Sequence, residues 1–125
     1  MTGWAHDGHD DAATRRFYPA LQKRSLFALG FIAARSRHST GTAIDLTLVR
    51  LPVMRAARFD PTAQYGPCTG PVDQRAPDNS VDMGTGFDCF DTRSYGTNMS
   101  ITPEHRQWRL VLQSAMRRHG FTNYF

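Results

Sequence analysis

Ser36-Arg37-His38-Ser39-Thr40-Gly41-Thr42-Ala43-Ile44-Asp45-Leu46-Thr47-Leu48-Val49 is the stretch on which the reading of this chain turns. Its second half alternates: Ile44, Leu46 and Leu48 fall on one side, Ala43, Asp45, Thr47 and Val49 on the other. A period of two with β-branched residues predicts a strand with one face on a core. Asp45 then lies opposite that apolar face, beside the small residue Ala43. Upstream, Gly41 tolerates backbone angles that other residues resist, so the chain is able to turn there and bring His38 back toward Asp45. One imidazole and one carboxylate at the mouth of a strand supply two of the three protein ligands typical of a catalytic zinc site.

Outward from this stretch, the 125 residues suffice for one domain with a modest core. No run approaches the ~20 apolar residues of a membrane helix, so no membrane span is expected. Met1 to Asp11 is polar and acidic and does not read as a secretory leader; its His6 and His9 read as part of a flexible terminus rather than a metal site. The net charge of +4 is modest, and Arg15, Arg16, Arg55, Arg58, Arg117 and Arg118 are dispersed, so the basic balance reads as solvated surface rather than a nucleic-acid face. Short helices are expected over Asp10 to Tyr18 and over Lys23 to Leu29, the second offering Leu26, Phe27 and Leu29 for burial and stopping at Gly30. Residues 52–80 are rich in Pro, Gly, Asp, Asn and Gln and read as a long insertion that overhangs the site. The clearest helix comes last. Thr102 caps it, Pro103 opens it, Glu104 suits its positive end, and Trp108, Val111, Leu112, Ala115 and Met116 form a core-facing stripe. Arg117, Arg118 and His119 complement its C-terminus, Gly120 stops it, and Phe121 to Phe125 reads as the start of a strand.

Cys68 and Cys89 lie in no Cys-x-x-Cys pair, which argues against a thiolate zinc cluster. Two readings stay open. A disulfide would tie the long loop to the next block, contributing about 3 kcal/mol and implying an oxidising compartment, periplasm or cell envelope. Two free buried thiols would leave the cytoplasm open.

Ser36, His38, Gly41, Ala43 and Asp45, in the order Ser-x-His-x-x-Gly-x-Ala-x-Asp, resemble the zinc D-alanyl-D-alanine dipeptidases. These include the dipeptidases of vancomycin resistance and share a fold with zinc DD-carboxypeptidases and the Hedgehog signalling domain. Arg15-Arg16-Phe17-Tyr18-Pro19, Leu26 to Ala33, Asp82-Met83-Gly84-Thr85-Gly86-Phe87-Asp88 and Met116 to Tyr124 are similar to further family segments in family order. The resemblance implies an α+β fold, a small antiparallel sheet with helices packed on one side, and an incomplete one. It implies one Zn2+ held by His38 and Asp45, substrate contacts from Ser36 and Asp82, and hydrolysis of the dipeptide D-alanyl-D-alanine from cell-wall precursors. For Asp82, capping a turn through its own backbone is the competing reading.

The family's general base and third zinc ligand come from a Glu-x-x-His segment, and its oxyanion-stabilising Arg from a Tyr-Arg-Pro motif. Neither motif occurs in this sequence, so no catalytic residue is assigned within it and the chain reads as the middle of a domain. His119 as a surrogate ligand and Glu104 as a surrogate base are the internal alternatives; His105, in the first turn of the last helix, needs only a packing role. A remnant that binds metal or cell-wall peptide without catalysis is the alternative function, and a nucleic-acid binder rests on charge alone.

Overall fold

The computed structural model describes residues 14–123. Met1 to Asp11, with His6 and His9, and the final Tyr124 and Phe125 lie outside the described residues. Along the described chain, short 3-10 turns at Arg15–Phe17, Lys23–Ser25, His38–Thr40, Val72–Gln74 and Thr92–Ser94 precede one α-helix, α1, at Pro103–Arg118.

The expected α+β fold with a small antiparallel sheet is not what the structure contains. Among the described residues there is no strand, only one isolated antiparallel bridge between Val49 and Ser80, with Val81 N–H donating to Leu48 O at 2.8 Å. Alternation predicts which way side chains point, but a strand also needs a neighbour for its backbone groups. Over residues 43–48 that single bond to Leu48 O does not extend into a ladder, and the face meant for the core is largely in solvent, with Ile44 55% and Leu46 49% exposed. The chain then enters the Pro- and Gly-rich segment, where Val72–Gln74 is the one 3-10 helix, and each proline there withholds a donor. The strand expected from Phe121 is likewise absent over its described residues 121–123.

Tyr18, Leu26 and Ile32 form the buried cluster, with Phe17, Leu21, Phe27, Phe31 and Phe90 packed around it. The helix expected over Lys23 to Leu29 is reduced to a 3-10 turn and a reversal at Gly30, where φ is 78° and Phe31 N–H returns to Leu26 O at 2.9 Å. That reversal stacks Phe31 on Tyr95 with ring centroids 5.2 Å apart. The other buried apolar residues are Cys68, Cys89, Val81 and Ile101. Cys68 N–H bonds Arg16 O at 2.9 Å and Phe90 N–H bonds Phe17 O at 2.6 Å, so the disulfide-bearing segments are tied to the cluster's flank by backbone hydrogen bonds rather than by a sheet.

Helix α1 starts where its sequence says it should: Thr102 Oγ1 accepts from His105 N–H, Pro103 opens the first turn, and Gly120 reverses the chain with φ 81°. Its apolar stripe is half-buried at Trp108, Leu112, Ala115 and Met116, and no residue of the helix is fully buried. Two arginines anchor it instead. Arg109 donates to the carbonyls of Met83, Tyr95 and Arg93, and Arg106 to those of Ile101 and Met99.

Candidate functional site

The site begins with a turn. Thr40 and Thr42 N–H groups both donate to Arg37 O, Gly41 N–H donates to His38 O at 3.1 Å, and the Ser39 hydroxyl caps Ser36 O at 2.7 Å. Gly41 sits at φ 70°, the left-handed conformation that reverses the chain. The reversal leaves His38 Nε2 3.7 Å from Asp45 Oδ2, with the two side chains 51% and 87% exposed. This separation is too long for a hydrogen bond. A zinc ion bound at about 2.0–2.2 Å to a His nitrogen and an Asp oxygen would hold the two roughly 3.3 Å apart. The pair therefore fits two positions of a metal site, on the solvent side of the chain. Ser36 immediately precedes the turn and is exposed.

Asp82 belongs to a different arrangement. Its Oδ1 accepts from Gly84 N–H and from Arg75 Nη1, each at 2.9 Å, and His105 Nε2 lies 3.0 Å from Oδ2. Burial opposes its charge, but the Gly84 N–H, the Arg75 guanidinium and His105 outweigh that and hold the carboxyl below its ordinary value. The turn it caps approaches α1 closely. A Cβ on Gly84, which has φ 98°, would come within 2.8 Å of Ile101 Cγ2 and 3.1 Å of His105 Nδ1, so only glycine fits. The turn-capping reading of Asp82 thus describes what its carboxylate does here.

Asp88, six positions on, is the residue that the sequence reading passed over. Although Asp88 is exposed as a whole, desolvation of its carboxyl and the Asp45 charge push its pKa up. Its backbone is left-handed, with φ 54°, a conformation rare for a residue with a Cβ. The only sequence signal was its place at the end of Gly86-Phe87-Asp88, inside a block already singled out for its glycines.

Cys68 and Cys89 form a disulfide with their Cα atoms 5.5 Å apart, and no cysteine is free among the described residues. His105 is engaged by Asp82, while His119 and Glu104 are exposed at opposite ends of α1. Among the described residues no three or more His, Cys, Asp or Glu side chains gather as a metal-binding group, so neither His119 nor Glu104 joins His38 and Asp45 there. Among the same residues no helix is long and apolar enough to cross a membrane.

Comparison with known proteins gives the chain its relatives. A family model described as D-ala-D-ala dipeptidase matches residues 72–125. Over 121 residues, 97% of this chain, it is 31% identical to a D-alanyl-D-alanine dipeptidase of Enterococcus faecalis and 31% identical to one of Enterococcus faecium. A third, from Streptomyces coelicolor, is 27% identical over the same length. Each alignment takes in 48% of the relative, so the chain spans about half the length of the curated proteins it matches. No solved structure matches it.

Proposed function

The chain belongs to the D-alanyl-D-alanine dipeptidase family, and from that premise we propose that it serves the metal-dependent hydrolysis of D-alanyl-D-alanine in cell-wall precursor metabolism. Peptidases of this family are generally metal-dependent. The observation that carries the reading is the His38–Asp45 pair, held 3.7 Å apart and open to solvent by a turn made for that purpose. His38 Nε2 and Asp45 Oδ2 are the atoms that would hold Zn2+. Zinc held there would supply Lewis-acid chemistry, polarisation of a peptide carbonyl and activation of water near neutral pH.

The chain's own part is to bind and orient. A dipeptide brings one ammonium group, and Asp88, whose carboxyl is raised by desolvation and by the Asp45 charge, is the candidate carboxylate to receive it. Asp82 is the poorer candidate because its oxygens are already occupied by Arg75, Gly84 and His105. Ser36, beside the His38 turn, is the polar group available to position the peptide. An oxidising compartment, the periplasm or cell envelope, suits the Cys68–Cys89 disulfide.

The test has two measurements. Zinc titration into the protein and into His38→Ala should show an affinity loss of at least about tenfold in the variant, as removal of one of few ligands requires. Release of D-alanine from D-alanyl-D-alanine by the zinc-loaded protein should fall to background in Asp45→Asn. Equal zinc affinity in wild type and His38→Ala, or turnover that Asp45→Asn leaves intact, would sink the reading.

A further inference from the structure

We infer that the Pro- and Gly-rich segment carries a second binding site, a cleft that takes an uncharged, hydroxyl-rich ligand of the saccharide class, with an N-acetylated amino sugar as the best match. The cleft has a volume of about 700 Å3 and is lined by residues between Ala57 and Asp78. None of Ser36, His38, Asp45, Asp82 or Asp88 is among them. Small-molecule sites commonly span about 300–1,000 Å3.

Two stretches of the segment are drawn together to make it. Gly66 N–H donates to Gln74 O at 2.7 Å, and a Cβ on Gly66 would meet that same oxygen at 3.0 Å, so a larger residue would push the walls apart. Gln74 N–H in turn closes the Val72–Gln74 turn on Pro71 O at 3.0 Å. Arg75 fastens that wall: its side chain is 9% exposed and donates to Gly70 O at 2.6 Å and to Asp82 at 2.9 Å. On the other wall the Tyr65 hydroxyl accepts from Asp60 N–H at 3.0 Å. The Tyr65 ring stacks on Phe59 with centroids 5.5 Å apart, and the Arg16 guanidinium lies 5.6 Å from its centroid. The frame is held by its own contacts, so little ordering is left for a ligand to bring about.

What the frame presents selects the ligand. Arg58, Gln64 and Asp73 line the cleft and are exposed, and no hydrogen bond or ion pair engages their side chains among the described residues. Arg75 is already paired with Asp82, so an anion would meet two carboxylates, Asp73 and Asp78, for the one guanidinium left over. A wholly apolar ligand would strip water from the amides of Gln64 and Gln74 and from those carboxylates without replacing it. Amide and carboxylate groups offer donors and acceptors in planar pairs, which suit adjacent hydroxyls. The ring of Tyr65 and the side chain of Val72, 58% exposed, offer apolar surface beside them. A sugar ring combines the two demands, hydroxyls at its rim and C–H groups on its faces. An acetamido group adds an amide for the glutamines and a methyl for Val72.

The test titrates the β-1,4-linked tetramer of N-acetylglucosamine into the isotopically labelled 125-residue protein and follows backbone amide shifts. Saturable shifts over residues 57–78, with the amides of α1 unmoved, are expected. Gln64→Ala/Asp73→Asn, which alters only exposed side chains without partners, should weaken binding about tenfold or more, the loss of two hydrogen bonds. Tyr65→Ala should weaken it by a similar factor through loss of the ring. Unmoved α1 amides in each variant report that the fold persists. Absence of saturable shifts at the solubility limit of the sugar would overturn the inference, as would unchanged affinity in Gln64→Ala/Asp73→Asn. Tighter binding of inorganic phosphate or of D-alanyl-D-alanine at the same amides would overturn the saccharide assignment.

Discussion

Asp82 and Asp88 belong to one short block and face opposite electrostatic surroundings, which makes them separable by pH. For Asp82, burial is outweighed by the Gly84 N–H, Arg75 and His105, and its folded pKa is lowered. Its stabilisation is therefore present above the unfolded pKa and lost as pH falls through the folded one. For Asp88, burial and the Asp45 charge raise the folded pKa, so stability is greatest when it is protonated and declines as pH rises through the folded value. Melting temperatures of wild type, Asp82→Asn and Asp88→Asn across pH 3 to 7 should diverge in sign. Asp82→Asn should be less stable than wild type at pH 7, with the deficit closing in acid. Asp88→Asn should be at least as stable at pH 7, because asparagine tolerates φ 54° and carries no charge toward Asp45, with the difference vanishing in acid. A deficit for both variants at pH 7 would refute the assignment. The His38–Asp45 approach was legible in the sequence because seven positions and one glycine decide it. The contribution of Asp45 to the raised pKa of Asp88 was not, since the two residues are over forty positions apart in sequence.

At the scale of elements the same division holds. Helix α1 was readable almost to the residue because its signals are local: Thr102 and Pro103 at one end, Gly120 at the other. Its attachment was not, because carbonyl-seeking arginines have no periodic signature and the apolar stripe suggested a deeper burial than the helix has. The alternation of Ile44, Leu46 and Leu48 misled for a related reason: it specifies a face but not a partner. If the arginine anchors outweigh the stripe, Arg109→Ala should destabilise more than any single apolar truncation on α1. It leaves the carbonyls of Met83, Tyr95 and Arg93 without that donor, at a cost of about 3 kcal/mol. Thr102→Ala, which removes one capping bond, should cost about 1 kcal/mol. Urea unfolding of Arg109→Ala, Thr102→Ala and Leu112→Ala checks the ranking; a larger loss in Leu112→Ala would return the helix to a packing-dominated account.

For the molecule as a whole, what matters is how little apolar surface the described residues hide. Their buried apolar side chains are Tyr18, Leu26, Ile32, Val81 and Ile101 together with the disulfide pair, of which only Tyr18 and Leu26 are fully buried, whereas Leu51 is 84%, Met54 and Met99 73% and Phe87 72% exposed. Hydrophobic stabilisation scales with area removed from water, and so does the steepness of denaturant unfolding. A chain laced by backbone hydrogen bonds, arginine–carbonyl contacts and one disulfide gains less new surface on unfolding than a well-cored domain of 125 residues. The urea m-value should accordingly fall below that of a compact domain of this length, and the transition should be broad. Two probes serve, Trp108 fluorescence for the α1 contact with Arg50, whose guanidinium lies 5.0 Å from the indole ring, and far-ultraviolet circular dichroism for α1 itself. A steep transition with an ordinary m-value would mean that the exposed residues are covered in solution. Were that cover another copy of the chain, the midpoint would rise with protein concentration, since association stabilises by mass action. A steep, concentration-independent transition would instead overturn the claim that so little of the chain is buried.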